Sequence, residues 1–262
     1  SSTSDFLTDS GYKTSEIGFS LGTKFEQFQN IFLSPEIDFL IEDLETSDKA
    51  SNILKKQEGS YTDLYFNYSI NQDLRDKKFR TEDGYVTTFS QELPIISDNA
   101  EFSNAFEVTK YKKLSTTSSM VGKISFFGKT VTGLNDDVRI SKRLNIPASR
   151  LRGFQSGKVG PIENNDYIGG NHLSSLNLSA TLPNIVQGLD NLDVGVFIDA
   201  ANVWGVDYDS TLDDKSTIRS STGIALNLLT PIGPLSFSFA NALSKASSDK
   251  TETFRFNLGT QF

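Results

Sequence analysis

Cysteine is absent from all 262 residues, which excludes a disulfide framework, a thiolate metal site and a catalytic thiol. Histidine occurs once, as His172. Without a supporting motif it gives no Ser-His-Asp arrangement, and no glycine-rich nucleotide-binding loop is present. Basic residues are in deficit: 25 Lys and Arg against 33 Asp and Glu leave a net charge of −8. Nucleic acid is therefore not expected as a partner, because its sequence-independent affinity needs a basic surface. Long apolar runs are missing too. None approaches the ~18 residues a membrane-crossing helix requires, and mean hydropathy is −0.31. The same average leaves a β-barrel open, since each of its strands gives half its residues to a polar interior. Ser1 to Gly11 is polar, with no basic start and apolar core, so an exported form would be a mature or shortened chain.

What the chain does have is alternation. At its end Phe254, Phe256, Leu258, Thr260 and Phe262 interleave with Arg255, Asn257, Gly259 and Gln261. A period of two with one apolar and one polar face is a strand between unlike solvents, and about 9–11 residues suffice for a tilted strand to cross a bilayer. Elsewhere Ile37, Phe39 and Ile41 oppose Glu36, Asp38 and Glu42, while Leu64, Phe66, Tyr68 and Ile70 oppose Asp63, Asn67 and Ser69. Phe102, Phe106 and Val108 oppose Glu101, Ser103 and Glu107, and Val194, Val196 and Ile198 oppose Asp193 and Asp199.

The pattern predicts an all-β chain without helix. Its roughly eleven strands lie near 12–26, 29–42, 60–72, 84–95, 100–112, 117–130, 169–182, 191–204, 217–230, 233–244 and 250–262. A soluble β-sandwich also alternates, but its strands average ~5–6 residues, and several here hold the period longer with charges on the minor face. An antiparallel transmembrane β-barrel accounts for both features. The connections at 43–59, 131–168 and 205–216 are long and polar, whereas those at 112–116 and 230–234 are tight. Barrels place longer loops outside and short turns in the periplasm, although the link at 71–83 is long for a turn.

The 131–168 connection is too long to be a mere link. Arg139, Lys142, Arg143, Arg150, Arg152 and Lys158 make its centre cationic in an anionic protein. Arg152 carries a planar fork suited to a carboxylate. Asp199 projects to the polar side of a strand whose other side is aliphatic. Gly153 lets the backbone turn or approach a wall, and Phe154 can serve as an apolar anchor. The competing reading is a solvated outer loop against lipopolysaccharide phosphates, with Arg152 unpaired. Asp207, Asp209, Thr211 and Asp213 have the odd-position spacing of a calcium loop, but Leu212 stands at the turn-glycine position and Ile218 at the bidentate-Glu position. No catalytic residue, metal ligand or cofactor is expected.

Leu151-Arg152-Gly153-Phe154 resembles the (Val/Leu)-Arg-Gly-Phe motif of the BamA-type assembly and translocation barrels of the bacterial surface antigen superfamily. Further matches follow in family order: Gly160-Pro161, Gly169-Gly170, Phe197-Ile198-Asp199-Ala200, Ser221-Thr222-Gly223, Pro231-Ile232-Gly233-Pro234 and Phe256-Asn257-Leu258-Gly259. The resemblance implies that residues 1–262 are about eleven C-terminal strands of a sixteen-stranded barrel, with the 131–168 loop folded into the lumen and the N-terminal strands and periplasmic domains absent. It further implies an Arg152–Asp199 ion pair holding that loop. The last strand, with Phe254, Phe256, Leu258 and Phe262, would form one side of a lateral seam.

Residence in the Gram-negative outer membrane is implied, together with insertion of other barrel proteins by strand templating. Its partners would be unfolded barrel proteins, accessory lipoproteins, periplasmic chaperones and outer-membrane lipid. The alternatives are a secretion barrel of the same superfamily or a passive porin.

Overall fold

The computed structural model describes residues 2–6, 11–48, 50–115, 119–183, 191–212, 217–230 and 233–258. In chain order the strands are β1 (Ser2–Phe6), β2 (Tyr12–Gly22), β3 (Phe25–Phe28), β4 (Ile31–Thr46), β5 (Gly59–Asp73), β6 (Gly84–Ser97), β7 (Glu101–Lys113) and β8 (Val121–Gly133). There follow β9 (Ile162–Glu163), β10 (Asp166–Tyr167), β11 (His172–Pro183), β12 (Leu192–Trp204), β13 (Arg219–Thr230), β14 (Gly233–Ser244) and β15 (Phe254–Leu258).

Among the described residues one 13-stranded sheet runs β1-β2-β4-β5-β6-β7-β8-β11-β12-β13-β14-β15, with β3 continuing β2 alongside β4. Every neighbour is antiparallel and next in sequence along the sheet, apart from the jump over the β9–β10 hairpin. This is a meander, the order a barrel wall requires. β1 and β15 are its two edges.

Burial runs opposite to that of a water-soluble sheet. On β2, Ile17, Phe19 and Leu21 are 63%, 68% and 70% exposed, while Thr14 is buried. On β12, Val196 and Ile198 lie outside, and Phe197, Asp199, Ala201 and Val203 are buried. The outer face continues through Phe39, Phe106, Phe126, Leu176, Leu178, Ile224, Phe239, Phe254 and Phe256, all exposed. A contiguous apolar surface of this extent is foreign to a soluble monomer and is what hydrocarbon solvates. The inner face gathers Glu42, Asp63, Glu101, Ser125, Ser175, Asp199 and Arg219, all buried.

The apolar core therefore lies between the sheet and the long loop. Val138, Leu144, Ile146, Leu151, Phe154 and Val159 of the loop pack on Val131 of β8, Leu173 of β11, and Ala201 and Val203 of β12.

Several expectations shift. The predicted 12–26 strand runs on to Phe28: β2 and β3 keep one register against β4, with Gly22 opposite Glu36, Phe25 opposite Leu33 and the Thr23 N–H bonded to the Pro35 carbonyl between them, and the reversal comes at Asn30, at φ +61°. β1 falls in the polar stretch before Gly11, where no strand was expected. A four-residue helix, α1 (Asn52–Lys55), interrupts the first long loop; Ser51 Oγ caps the Leu54 N–H and Leu54 is fully buried. The last strand begins at Phe254, four residues later than predicted, because Lys250 and Glu252 bond to the long loop. Phe262, like Asp213 of the acidic loop, lies outside the described residues.

Candidate functional site

The loop after β8 doubles back on itself. Leu144 and Gly170 exchange backbone hydrogen bonds at 2.7 and 3.0 Å, and β9 and β10 form a hairpin whose two turn residues, Asn164 and Asn165, both have positive φ. Asn-Asn suits that turn because asparagine tolerates the left-handed region.

Arg152 sits on the inner wall against Asp199 of β12. Its Nε donates to Oδ2 and its Nη2 to Oδ1, both at 2.8 Å, and the Arg152 backbone N–H adds a third bond at 3.1 Å. Asn177 of β11 donates to the same carboxylate at 2.8 Å and, with the same amide, to the Arg150 carbonyl. Asp199 is fully buried, so each of these donors offsets its desolvation. The guanidinium also lies over Phe197, 3.4 Å from the ring centroid, and a lysine ammonium could not reproduce both this contact and the fork.

Gly153 follows with φ +87°, and a Cβ there would meet the Ala240 Cβ at 3.0 Å. Phe154 and Leu151 are each 2% exposed in the core beneath the loop. Gly160, at φ +113°, lies so close to Val203 that a Cβ would approach its Cγ1 to 2.5 Å.

Beyond the motif the loop reaches the segment that leads into β15. Glu252 N–H donates to the Gly153 carbonyl, Gln155 N–H to the Lys250 carbonyl, and Lys250 N–H to the Lys158 carbonyl, at 2.9 to 3.1 Å. Arg255 Nη2 donates to the Phe154 carbonyl at 2.8 Å. Phe254, Phe256 and Leu258 point outward and stay exposed, and Phe256 rests on Phe237 of β14 with ring centroids 5.1 Å apart.

A second anchor escapes a reading of motifs. Arg139, at the start of the loop, is fully buried among three carboxylates from three strands: Glu42 of β4 at 3.3 Å, Asp63 of β5 at 2.7 Å and Glu101 of β7 at 3.3 Å. Tyr61 covers the guanidinium at 4.2 Å, and Tyr65 donates to Glu101. Burial opposes the charge on Arg139, but Glu101, Asp63 and Glu42 outweigh it and hold the proton more firmly than usual. The signal was present in the alternation, since all three acids occupy polar-face positions near the same end of their strands. What the sequence does not reveal is which of six loop cations meets them.

Two further ion pairs fix neighbouring loops. Arg143 pairs with Asp207, and Arg219 of β13 makes a fork-to-fork contact with Asp249 at 2.9 and 3.0 Å. Asp209, offered above as part of a calcium pattern, accepts from Thr211 instead.

An apolar exterior, a polar wall and an inward loop held by Arg139 on one side and Arg152 on the other define a membrane-spanning barrel wall with a filled interior. Comparison with known proteins specifies the family. The Omp85 superfamily domain matches residues 2–262, and the chain belongs to that superfamily of outer-membrane proteins.

It is 33% identical over 141 residues to the outer membrane protein assembly factor BamA of Neisseria meningitidis serogroup B, covering 43% of this chain and 17% of that protein. To BamA of Neorickettsia risticii it is 24% identical over 199 residues, covering 74% of this chain and 27% of the relative. The matched stretches thus span under a third of these relatives' lengths. In fold, the chain is similar to the crystal structure of BamA from Haemophilus ducreyi lacking POTRA domains 1–3. The TM-score is 0.84 over 97% of this chain and 56% of that one, at 21% identity. CdiB from Acinetobacter baumannii gives a TM-score of 0.60 at 12% identity, over 94% and 42% of the two chains.

Proposed function

We propose that this chain is the C-terminal portion of the barrel of an outer-membrane protein assembly factor, which inserts other β-barrel proteins into the outer membrane. Two relatives carry that description, and the Arg152–Asp199 contact is the observation that carries the reading. It holds a long loop inside the wall, and the conduction of ions would not by itself need that pair. The same loop is hydrogen-bonded to the segment entering β15.

Among the described residues β15 is an edge of the sheet, and such an edge is a template for another strand. An incoming chain that pairs there gains a ladder without exposing its own polar backbone to hydrocarbon. The substrates would be unfolded outer-membrane barrel proteins. Lipoproteins and periplasmic chaperones would assist through parts of the protein beyond the barrel. No step in this scheme uses a nucleotide.

The test replaces Arg152 by Ala in cells depleted of the native copy and follows the outer-membrane levels of unrelated barrel proteins, with heat-modifiable gel mobility checking that the variant itself folds. Folded variant with depleted barrel proteins supports assembly. Normal insertion by the folded variant rejects a role for this pair and moves a secretion barrel ahead.

A further inference from the structure

On the outer face a furrow of about 510 Å³ runs from Lys110 and Lys112 of β7 to Thr222 of β13. It lies between two adjacent rows of outward residues. Lys112, Gly122, Ala180 and Val196 are successive cross-strand partners in one row. Lys110, Ile124, Leu178, Ile198 and Thr222 form the other. The relief comes from side-chain size, since Gly122 and Ala180 stand low while Ile124, Leu178, Val196 and Ile198 project and are exposed. Leu114 closes the near end, where a Cβ on Gly122 would meet its Cδ2 at 2.9 Å.

The register gives the furrow a direction. Its row starts at Lys112, one residue from the periplasmic end of β7, and passes Ala180, three residues from that end of β11. It continues through Val196, four residues into β12, to Ile224, six residues from the same end of β13. The furrow therefore climbs from the periplasmic rim to the middle of the apolar band. From β7 to β13 the sheet order counts four strand spacings, roughly 19 Å. Laid obliquely, that matches the ~15 Å depth of one leaflet of a bilayer.

The low end is cationic. Lys112 Nζ meets Asp83 Oδ2 at 2.8 Å, yet its side chain stays 66% exposed. Lys110 is exposed and makes no ion pair among the described residues, and the two ammoniums share Asp83. Glu82, the next acid, is taken up by Lys77 and Lys113. Tyr85, opposite Lys110 on β6, donates its hydroxyl to Gln72, and a tyrosine so placed marks the headgroup level.

We infer that this furrow is a binding site for an anionic phospholipid of the periplasmic leaflet, with the phosphodiester at Lys110 and Lys112 and one acyl chain lying over Gly122 and Ala180. Within hydrocarbon a furrow offers no hydrophobic gain, so selection rests on packing along its walls and on charge at its foot. A headgroup without an ammonium of its own leaves both lysines to the phosphate, which favours a phosphatidylglycerol over a choline or ethanolamine lipid. The inference depends on the membrane-spanning barrel and is independent of the assembly role.

The full-length protein, its folding checked by heat-modifiable mobility, is released from nanodiscs of equal phosphatidylglycerol and phosphatidylcholine into a mass spectrometer, and retained lipids are identified by mass. The parent is expected to keep phosphatidylglycerol in preference to phosphatidylcholine. Lys110→Gln with Lys112→Gln should lower that preference roughly fivefold for each lysine removed, the worth of one basic side chain at an anionic lipid surface. Ala180→Phe fills the furrow from its floor and should shed the lipid with both lysines in place. Equal retention of the two lipids by the parent, or an unchanged preference in the folded double variant, overturns the headgroup site. Parental retention by folded Ala180→Phe overturns the furrow. Lipopolysaccharide added to the same nanodiscs is the rival occupant, and its retention in place of phosphatidylglycerol overturns the phospholipid.

Discussion

Arg139 and Asp63 are 76 positions apart in the chain and 2.7 Å apart in the fold, and both are fully buried. Their contact joins the start of the long loop to the half of the sheet opposite the one that holds Arg152. Removing the guanidinium leaves three carboxylates in the wall without their cation. Loss of one partner of a buried pair costs about 3–5 kcal/mol. Arg139→Ala is expected to lose at least that much in urea unfolding followed by heat-modifiable mobility. Adding Glu42→Gln and Glu101→Gln to Arg139→Met should recover much of the loss, since the uncompensated charge leaves with the acids.

At Arg152 the fork geometry matters as well as the charge. Arg152→Lys keeps one bond to Asp199 and gives up the second and the guanidinium contact over Phe197. About 1–3 kcal/mol of loop seating is expected to go with a charge-assisted bond. Limited proteolysis within 139–158 measures it: cleavage should be slow in the parent, faster in Arg152→Lys and fastest in Arg152→Ala.

Gly153→Ala introduces both an unfavourable φ and a close contact with Ala240. A non-glycine residue held in a sparsely populated region costs about 1–3 kcal/mol, so this substitution should loosen the loop as much as Arg152→Lys does. Gly157→Ala is its control, since φ is positive there too but a Cβ would meet no atom within 4 Å.

The outer face makes a prediction of opposite character. Ile198→Arg puts a charge on an exposed position, which a water-soluble protein tolerates. Facing hydrocarbon near mid-strand it should cost about 2–4 kcal/mol. Folding yield into lipid vesicles, compared with Ile198→Ala, reads the difference.

Asp207 supplies a pH dependence outside the strands. Burial pushes its carboxyl up, but Arg143, the Val138 N–H and the Asn171 side chain outweigh burial and hold it below the ordinary value of 3.8. A depressed folded-state value contributes stability that is present above the unfolded one and lost as pH falls through the folded one. The 205–212 loop should therefore stay docked down to about pH 4 and release below it. Trp204, the single tryptophan, lies three residues away, so its emission should shift over that acid range. In Asp207→Asn the shift should disappear.

Strand positions were legible because a barrel wall is solvated differently on its two sides and each residue declares its side. Glu36, Asp38 and Glu42 interleaved with Ile37, Phe39 and Ile41 needed no further information. The pairing of Arg152 with Asp199 was expected for another reason, the resemblance of residues 151–154 and 197–200 to motifs of the family. The reversal after Phe28 was read two residues early, since it rests on Asn30 tolerating positive φ and no glycine or proline marks it. The Arg139 cage was hidden. It depends on curvature bringing a loop and three strands together, and curvature leaves no mark in the local pattern.

The hydrogen bonds between residues 153–158 and 250–255 carry a thermodynamic consequence. Linkage is reciprocal, so any free energy by which those bonds favour a paired β15 is the same free energy by which a paired β15 favours the seated loop. A strand arriving at that edge and displacing it must loosen Gly153 and Phe154 to the same degree, and a ligand that tightens the loop must in equal measure resist the newcomer.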